Sequence, residues 1–189
     1  MILHFSEQII NNLLVPSFSL TKGEIVIIQI PEGALFYPLK QQIVEVLTGK
    51  VVNDSIEIVS PLKFVADFKE SYFRYRFFPT TIDSLHNKNA NRANPAYQNI
   101  YKTEGLTQQT KLKTVDNTLR RLISLYTTLS WTNNIVFDLA GIGPKGGQDI
   151  YGIVKAMVNS GGAAILIDHC DEFKNDCTTF IKARYLNSV

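Results

Sequence analysis

Apolar positions follow two rhythms along this chain, one of strands and one of helices. "GEIVIIQI", residues 23–30, is a run of isoleucine and valine that reads as a strand buried on both faces. In 39–47, Leu39, Ile43, Val44 and Leu47 share one helical stripe, and Gly49 supplies a stop. "VVNDSIEIV" predicts two short strands around the turn signal Asn53-Asp54. Residues 2–5 and 17–20 are shorter, partly apolar stretches, the second just after a turn at Pro16. Over 117–129, Leu119, Leu122, Ile123, Tyr126 and Leu129 recur at helical spacing and predict an amphipathic helix. A strand "NIVFDLA", a loop "GIGPKGG", a helix "QDIYGIVKAMVNS" and a strand "GGAAILIDH" follow. Ile150, Ile153, Val154, Met157 and Val158 line one face of that helix. The closing "CDEFKNDCTTFIKARYLNSV" predicts a helix and a short end strand.

Strands alternating with helices, and strands without a polar face, define an α/β fold with a largely parallel sheet flanked by helices. Two segments interrupt the rhythm. "SYFRYRFF" is aromatic and ends at Pro79; its Tyr72, Phe73, Tyr75, Phe77 and Phe78 read as core or interface. Arg74 and Arg76 alternate with them, as on one side of a strand. From 80 to 113 the chain is rich in asparagine and glutamine, with apolar residues too sparse for a large buried face. It reads as a surface excursion with one or two short helices.

Composition narrows the class without changing it. The chain has 189 residues, 45% apolar and 19% charged, as expected of one globular domain with a sizeable core. A net charge of +2 without a basic run argues against a dedicated nucleic-acid binder. No apolar run is long enough for a spanning helix, and "MILHFSEQII" lacks the basic start of a signal peptide, so a cytoplasmic location is expected. Cys170 and Cys177 have no second pair to complete a zinc site and read as reduced thiols; no metal is expected.

Two glycine loops carry the candidate chemistry. "IPEGALFYPL", 30–39, joins a strand to a helix, the frame of a phosphate-binding loop. Set on the pattern G-x-x-x-x-G-K-[ST], Ile30 and Leu35 stand at the glycines, Phe36 at the lysine, and Tyr37 and Pro38 where hydroxyl residues are expected. Gly33 is the one glycine in the loop. Side chains crowd the nest of N–H groups, a ring replaces the cation, and Pro38 deletes a donor near the helix start. The helix dipole that survives is worth about 0.3–1 kcal/mol at an exposed end, too little to replace a lysine and a magnesium ion. Lys50 lies at the far end of the helix. The second loop, Gly141-Ile-Gly-Pro-Lys-Gly146, matches G-x-G-x-x-G, with Asp168 near the end of the next strand. That acid comes 27 positions after Gly141, and 21 residues follow it, which fits a dinucleotide fold poorly. Gly141, Gly143, Lys145 and Gly146 are instead expected to form a glycine turn that touches an anion or a partner.

Together these segments resemble the nucleotide-binding domain of ABC ATPases. "FSLTKGEIVIIQIPEG" is similar to that family's entry strands before the P-loop, "NNIVFDLAGIGPKGG" to its Walker B strand, and "GGAAILIDHCDEF" to the strand ending in the switch histidine. His169 lies 31 positions after Asp138, about as in the family. The resemblance spans roughly residues 5–175 and implies a P-loop-type sheet, N-terminal antiparallel strands and a reduced helical insertion. It implies one ABC-ATPase-like domain over 1–189, with a polar, helical subdomain inserted at about 80–128. The departures are specific. Asp138 falls at the Walker B aspartate, but Leu139 replaces the glutamate that polarises water, and Gly143-Pro144-Lys145 replaces the "GLD" loop. The "LSGGQ" signature falls near Thr114–Thr118, which has no glycine, with Arg121 at a basic position downstream. No glutamine stands at 74–76.

Gly33, Asp138 and His169 are therefore vestigial equivalents of nucleotide-site residues, and no catalytic residue is assigned. The leading expectation is a catalytically silent ABC-type domain with no cofactor, pairing with an ATPase subunit, a permease or a second copy of itself. Phe36, Tyr37 and Pro38 would fill the phosphate space, and membrane contact would come only through a partner. The alternatives are an ATP-binding subunit completed by a composite site with ATP and magnesium, and a small-ligand or dinucleotide binder using 141–147.

Overall fold

The structure is a computed structural model that describes residues 1–68, 70 and 72–186, apart from the side chains of Arg74 and Tyr75. In chain order its elements are β1 (Leu3–Phe5), β2 (Gln8–Ile10), β3 (Leu13–Val15), β4 (Phe18–Leu20), β5 (Ile25–Gln29), α1 (Phe36–Leu47), β6 (Ile56–Ile58), β7 (Lys63–Phe64), α2 (Tyr72–Phe77), α3 (Ile82–Asn89), α4 (Asn117–Leu129), β8 (Asn134–Phe137), α5 (Pro144–Asn159), β9 (Ala163–Asp168), β10 (Thr179–Lys182) and β11 (Arg184–Tyr185). Two 3-10 helices, Pro95–Lys102 and Leu112–Thr114, lie between α3 and α4. The chain divides into two compact units. One comprises Met1–Phe64, Asn133–Ala140 and Gly152–Val189; the other comprises Val65–Thr132 and Gly141–Tyr151.

The first unit is built on a five-stranded sheet of order β10-β5-β9-β8-β7, parallel throughout. An interior strand of such a sheet must be apolar on both faces, and β9 is buried along all six residues. The register sets Gln29 opposite Asp168, so β5 and β9 end together. Two antiparallel sheets, β4-β1-β6 and β11-β3-β2, complete the unit. The β2–β3 hairpin turns through Asn11 and Asn12, both at positive φ (45° and 65°), the conformation that a two-residue hairpin turn requires. Phe5 and Phe18 stack at 5.0 Å, and Leu39, Ile43, Val44 and Leu47 of α1 join their cluster. The stripe predicted for 39–47 is thus the buried face of α1.

Several sequence expectations change here. Helix α1 starts three residues earlier, at Phe36, because a helix start tolerates Pro38: an N–H in the first turn has no acceptor inside the helix. Residues 51–59 hold one strand, not two. The Asn53 side chain accepts the Ser55 N–H at 2.9 Å and its carbonyl accepts the Ile56 N–H, so the turn precedes β6 and Val51 and Val52 stay exposed. The predicted C-terminal helix is absent from the described residues. The Thr178 N–H donates to the Ile25 carbonyl and commits the chain to the sheet as β10. Residues 187–189 of that prediction lie outside the described residues.

The second unit has its own core. Ile82, Ile100, Leu106, Leu112, Val115 and Ile123 are buried together. The apolar residues of 80–113 are sparse in sequence, but two 3-10 helices and α3 bring them to one place. Asp116 caps α4 by accepting the Leu119 N–H at 2.8 Å, and α4 has the predicted bounds. Residues 72–77 form a helix, so the strand reading of Arg74 and Arg76 does not hold. Tyr72, Phe73, Phe77 and Phe78 are exposed rather than core. No helix among the described residues is long and apolar enough to cross a membrane.

Candidate functional site

The first unit gathers its polar groups where the central strands end. Past β5, Gly33 takes φ +140°, and its carbonyl accepts the Phe36 N–H at 3.0 Å as α1 begins. Phe36 is buried, with its ring edge against the His169 ring at 5.3 Å and 81°. Tyr37 is 62% exposed, so of the two rings only Phe36 fills space inside the loop, a correction to the sequence expectation. The N-terminus of α1 has no side-chain cap and no acid in its first turn.

Lys40 was not singled out by sequence, and it organises the site. Its Nζ donates to Asp138 Oδ2 at 2.8 Å; the Lys40 side chain is 13% exposed and that of Asp138 is 2% exposed. The same ammonium lies 5.0 Å from the Tyr37 ring centroid and 5.7 Å from that of Phe36. Asp138 Oδ1 accepts the Ala140 N–H at 3.1 Å. The signal was available: Lys40 follows Phe36 by four residues, one turn along the same helix face. A cation missing from the loop is therefore supplied one turn into the helix, and it is spent on the aspartate.

Asp168 ends β9, and His169 and Cys170 follow it. Asp168 Oδ1 accepts the His169 N–H at 2.7 Å and the Cys170 N–H at 3.3 Å, and lies 3.1 Å from His169 Nδ1. The Gln29 amide donates to the His169 carbonyl at 3.0 Å. Burial raises the Asp168 carboxyl above its ordinary value; the two N–H groups and His169 pull the other way, and Asp138 adds to the rise. Sequence reasoning placed Asp138 and His169 here but had assigned Asp168 only to a dinucleotide fingerprint and Cys170 to no site.

In the second unit, the expected glycine turn is shorter than predicted. Gly141 takes φ +76°, but α5 begins at Pro144, so Lys145 and Gly146 are helical. Lys145 is exposed. Gly146 has a packing role: a Cβ there would collide with the Thr118 side chain on α4 and come within 3.0 Å of Ile142. Gly146→Ala is expected to lower stability by about 1–3 kcal/mol in chemical denaturation, and Thr118→Gly in the same chain to restore part of it. Asp116, in the stretch at the signature position, is the α4 cap already described. Arg121 is buried, its guanidinium donating to the Val65 carbonyl and to Asp67, both at 3.2 Å. His86 is fully buried, with Nε2 2.7 Å from the Tyr97 carbonyl and Nδ1 2.9 Å from Thr127 Oγ1.

No protein-family model matches this chain, and no curated protein does. Solved structures do. A metal-chelate type ABC transporter in an inward-facing conformation superposes with a TM-score of 0.70 at 14% identity, over 98% of this chain and 82% of that one. An ABC transporter ATP-binding protein from Pyrococcus furiosus gives 0.69 at 16% identity, over 95% and 96%. A nucleotide-free ATP-binding cassette from an ABC transporter gives 0.68 at 17%, over 96% and 87%. At these identities the likeness establishes the fold: the chain has the α/β fold of ABC-type nucleotide-binding domains, with its parallel sheet and antiparallel strands.

Proposed function

We propose that this chain is a catalytically silent ABC-type domain that serves as a structural or regulatory partner in an ABC transporter or a related ATPase assembly. The observation that carries the reading is the Lys40–Asp138 ion pair. In this fold the aspartate at position 138 would be needed to order magnesium, and here its carboxylate is held by an ammonium at 2.8 Å. Magnesium demands near-ideal octahedral oxygen ligation, and a bound ammonium opposes it by both charge and space. Phe36 fills the lysine position, Pro38 offers no N–H, and Leu139 has no carboxylate. Phosphoryl transfer requires positioned phosphates, metal and an oriented water together. This set does not fit a magnesium-bound triphosphate, and no hydrolytic step is derived from it.

The partner on this reading is an ATPase subunit, a permease or a second copy of the chain, with any membrane contact made through it. ABC-type ATP-binding subunits are the solved structures it superposes on, which supports a protein partner of that kind. Titration calorimetry with ATP and magnesium tests the reading. The expected result is no heat of binding in the micromolar range; micromolar affinity would end the proposal and favour a composite-site ATP-binding subunit.

A further inference from the structure

Asp168, His169 and Cys170 place a carboxylate oxygen, an imidazole nitrogen and a thiol sulfur within 4.8 Å of one another. Three successive residues achieve this because β9 ends at Asp168. The carboxylate then folds over the next two N–H groups, which turns the chain back on itself. The cluster lies beyond the carboxyl end of the middle strand of a parallel sheet, where open α/β sheets leave a crevice for ligands. Asp168 Oδ1 and His169 Nδ1 are 3.1 Å apart. Two ligands on one tetrahedral zinc ion, each about 2.0–2.1 Å from it, would stand about 3.3 Å apart. The pair is thus nearly at ligand spacing.

The surroundings favour a cation. Four carboxylates, those of Asp168, Glu172, Glu32 and Asp171, act electrostatically on the Cys170 thiol. A divalent ion would discharge that field. Lys40, the cation on the neighbouring helix, is held by Asp138. The Phe36 edge lies against the His169 ring and the Gln29 amide donates to the His169 carbonyl, so both the ring and the backbone of this residue are held in place. Oxygen, nitrogen and sulfur together select a borderline or soft ion over magnesium or calcium.

We propose that Asp168, His169 and Cys170 form a binding site for zinc or a similar transition-metal ion, with its fourth position left to water. Binding exchanges the Cys170 S–H bond for an S–Zn bond, and the proton passes to the buffer. No electron is transferred. Asp138 is not among its ligands, so the cobalt readout does not depend on the silent-domain reading. Its exposed thiol and partly exposed histidine leave it open to exchange with solvent metal.

Cobalt(II) titration of the full chain, reduced with a non-chelating phosphine, tests this. One equivalent should produce a near-ultraviolet thiolate-to-cobalt absorption and visible bands of a four-coordinate ion, and zinc should remove both. Cys170→Ser should abolish the near-ultraviolet band and Cys177→Ser should leave it. His169→Ala should weaken zinc binding by at least about 10-fold. Zinc calorimetry in two buffers of different ionisation enthalpy should register a released proton, and a millimolar excess of magnesium should not compete. Absence of the thiolate band, its survival in Cys170→Ser, or displacement of cobalt by magnesium would overturn the proposal. Circular dichroism of each variant excludes loss of fold as the cause of a lost band.

Discussion

Lys40→Met lowers the unfolding free energy by about 3 kcal/mol, the cost of taking the ammonium from a buried carboxylate that keeps its other hydrogen bonds. The Asp138 side chain is 2% exposed, and the methionine keeps the apolar stem of Lys40 while removing the ammonium that Asp138 accepts from. The pair itself is a different quantity. Taking two charges out of water offsets most of their attraction, so removing both is nearly neutral. Lys40→Met with Asp138→Asn therefore recovers most of the loss, since the amide oxygen still accepts the Ala140 N–H. Urea denaturation of the two single variants and the double variant measures this, with the coupling read as the failure of additivity. If Lys40→Met unfolds at the parent's midpoint, the ion pair is not formed in solution.

His86→Ala costs about 2–4 kcal/mol, through a cavity in the second unit and two lost hydrogen-bond partners. The ring is fully buried, stacked on Tyr97 at 4.6 Å, with Thr127 and the Tyr97 carbonyl at its nitrogens. The same burial makes the site pH-dependent. Desolvation lowers the His86 pKa below its ordinary 6.5, against smaller raising effects from the Tyr97 carbonyl and Asp83. Between the lowered value and 6.5 the unfolded chain holds more protons than the folded one. This contribution to stability is therefore complete above 6.5 and is lost as the pH falls through 6.5 toward the lowered value. Thermal unfolding of the parent between pH 5 and pH 7 should show that loss, and His86→Leu should flatten it. An equal slope in the variant would assign the pH dependence to other groups.

Much of the frame was legible because it rests on periodicity. The buried runs at 25–29 and 163–168 and the helix at 117–129 follow from apolar spacing that nothing in the fold contradicts. The misreadings occur where long-range partners decide. Thr178 bonds to Ile25, 153 residues away, and turns a helix-like tail into an edge strand. The aromatic run 72–77 has strand-forming composition but pairs with no strand in the structure and is a short helix. The 80–113 segment is polar in sequence, yet Ile82, Ile100 and Leu112 reach 0–1% exposure because turns assemble them. At the candidate site, the missing groups of the phosphate loop were readable position by position. Lys40 was not, because its meaning depends on Asp138, 98 residues further along the chain. The Asp168–His169–Cys170 cluster was hidden by convention: three adjacent residues match no spaced ligand motif, and only the turn after β9 brings their donor atoms together.

The central claim is that the ammonium of Lys40 holds the aspartate that a magnesium-bound triphosphate would need. A crystal structure of the chain grown with ATP and magnesium in large excess tests it most directly. The account predicts Lys40 Nζ still on Asp138, the Phe36 ring still against His169, and no phosphate density at the turn around Gly33. Triphosphate wrapped by that turn, with Lys40 swung away from Asp138 to meet it, would contradict the account.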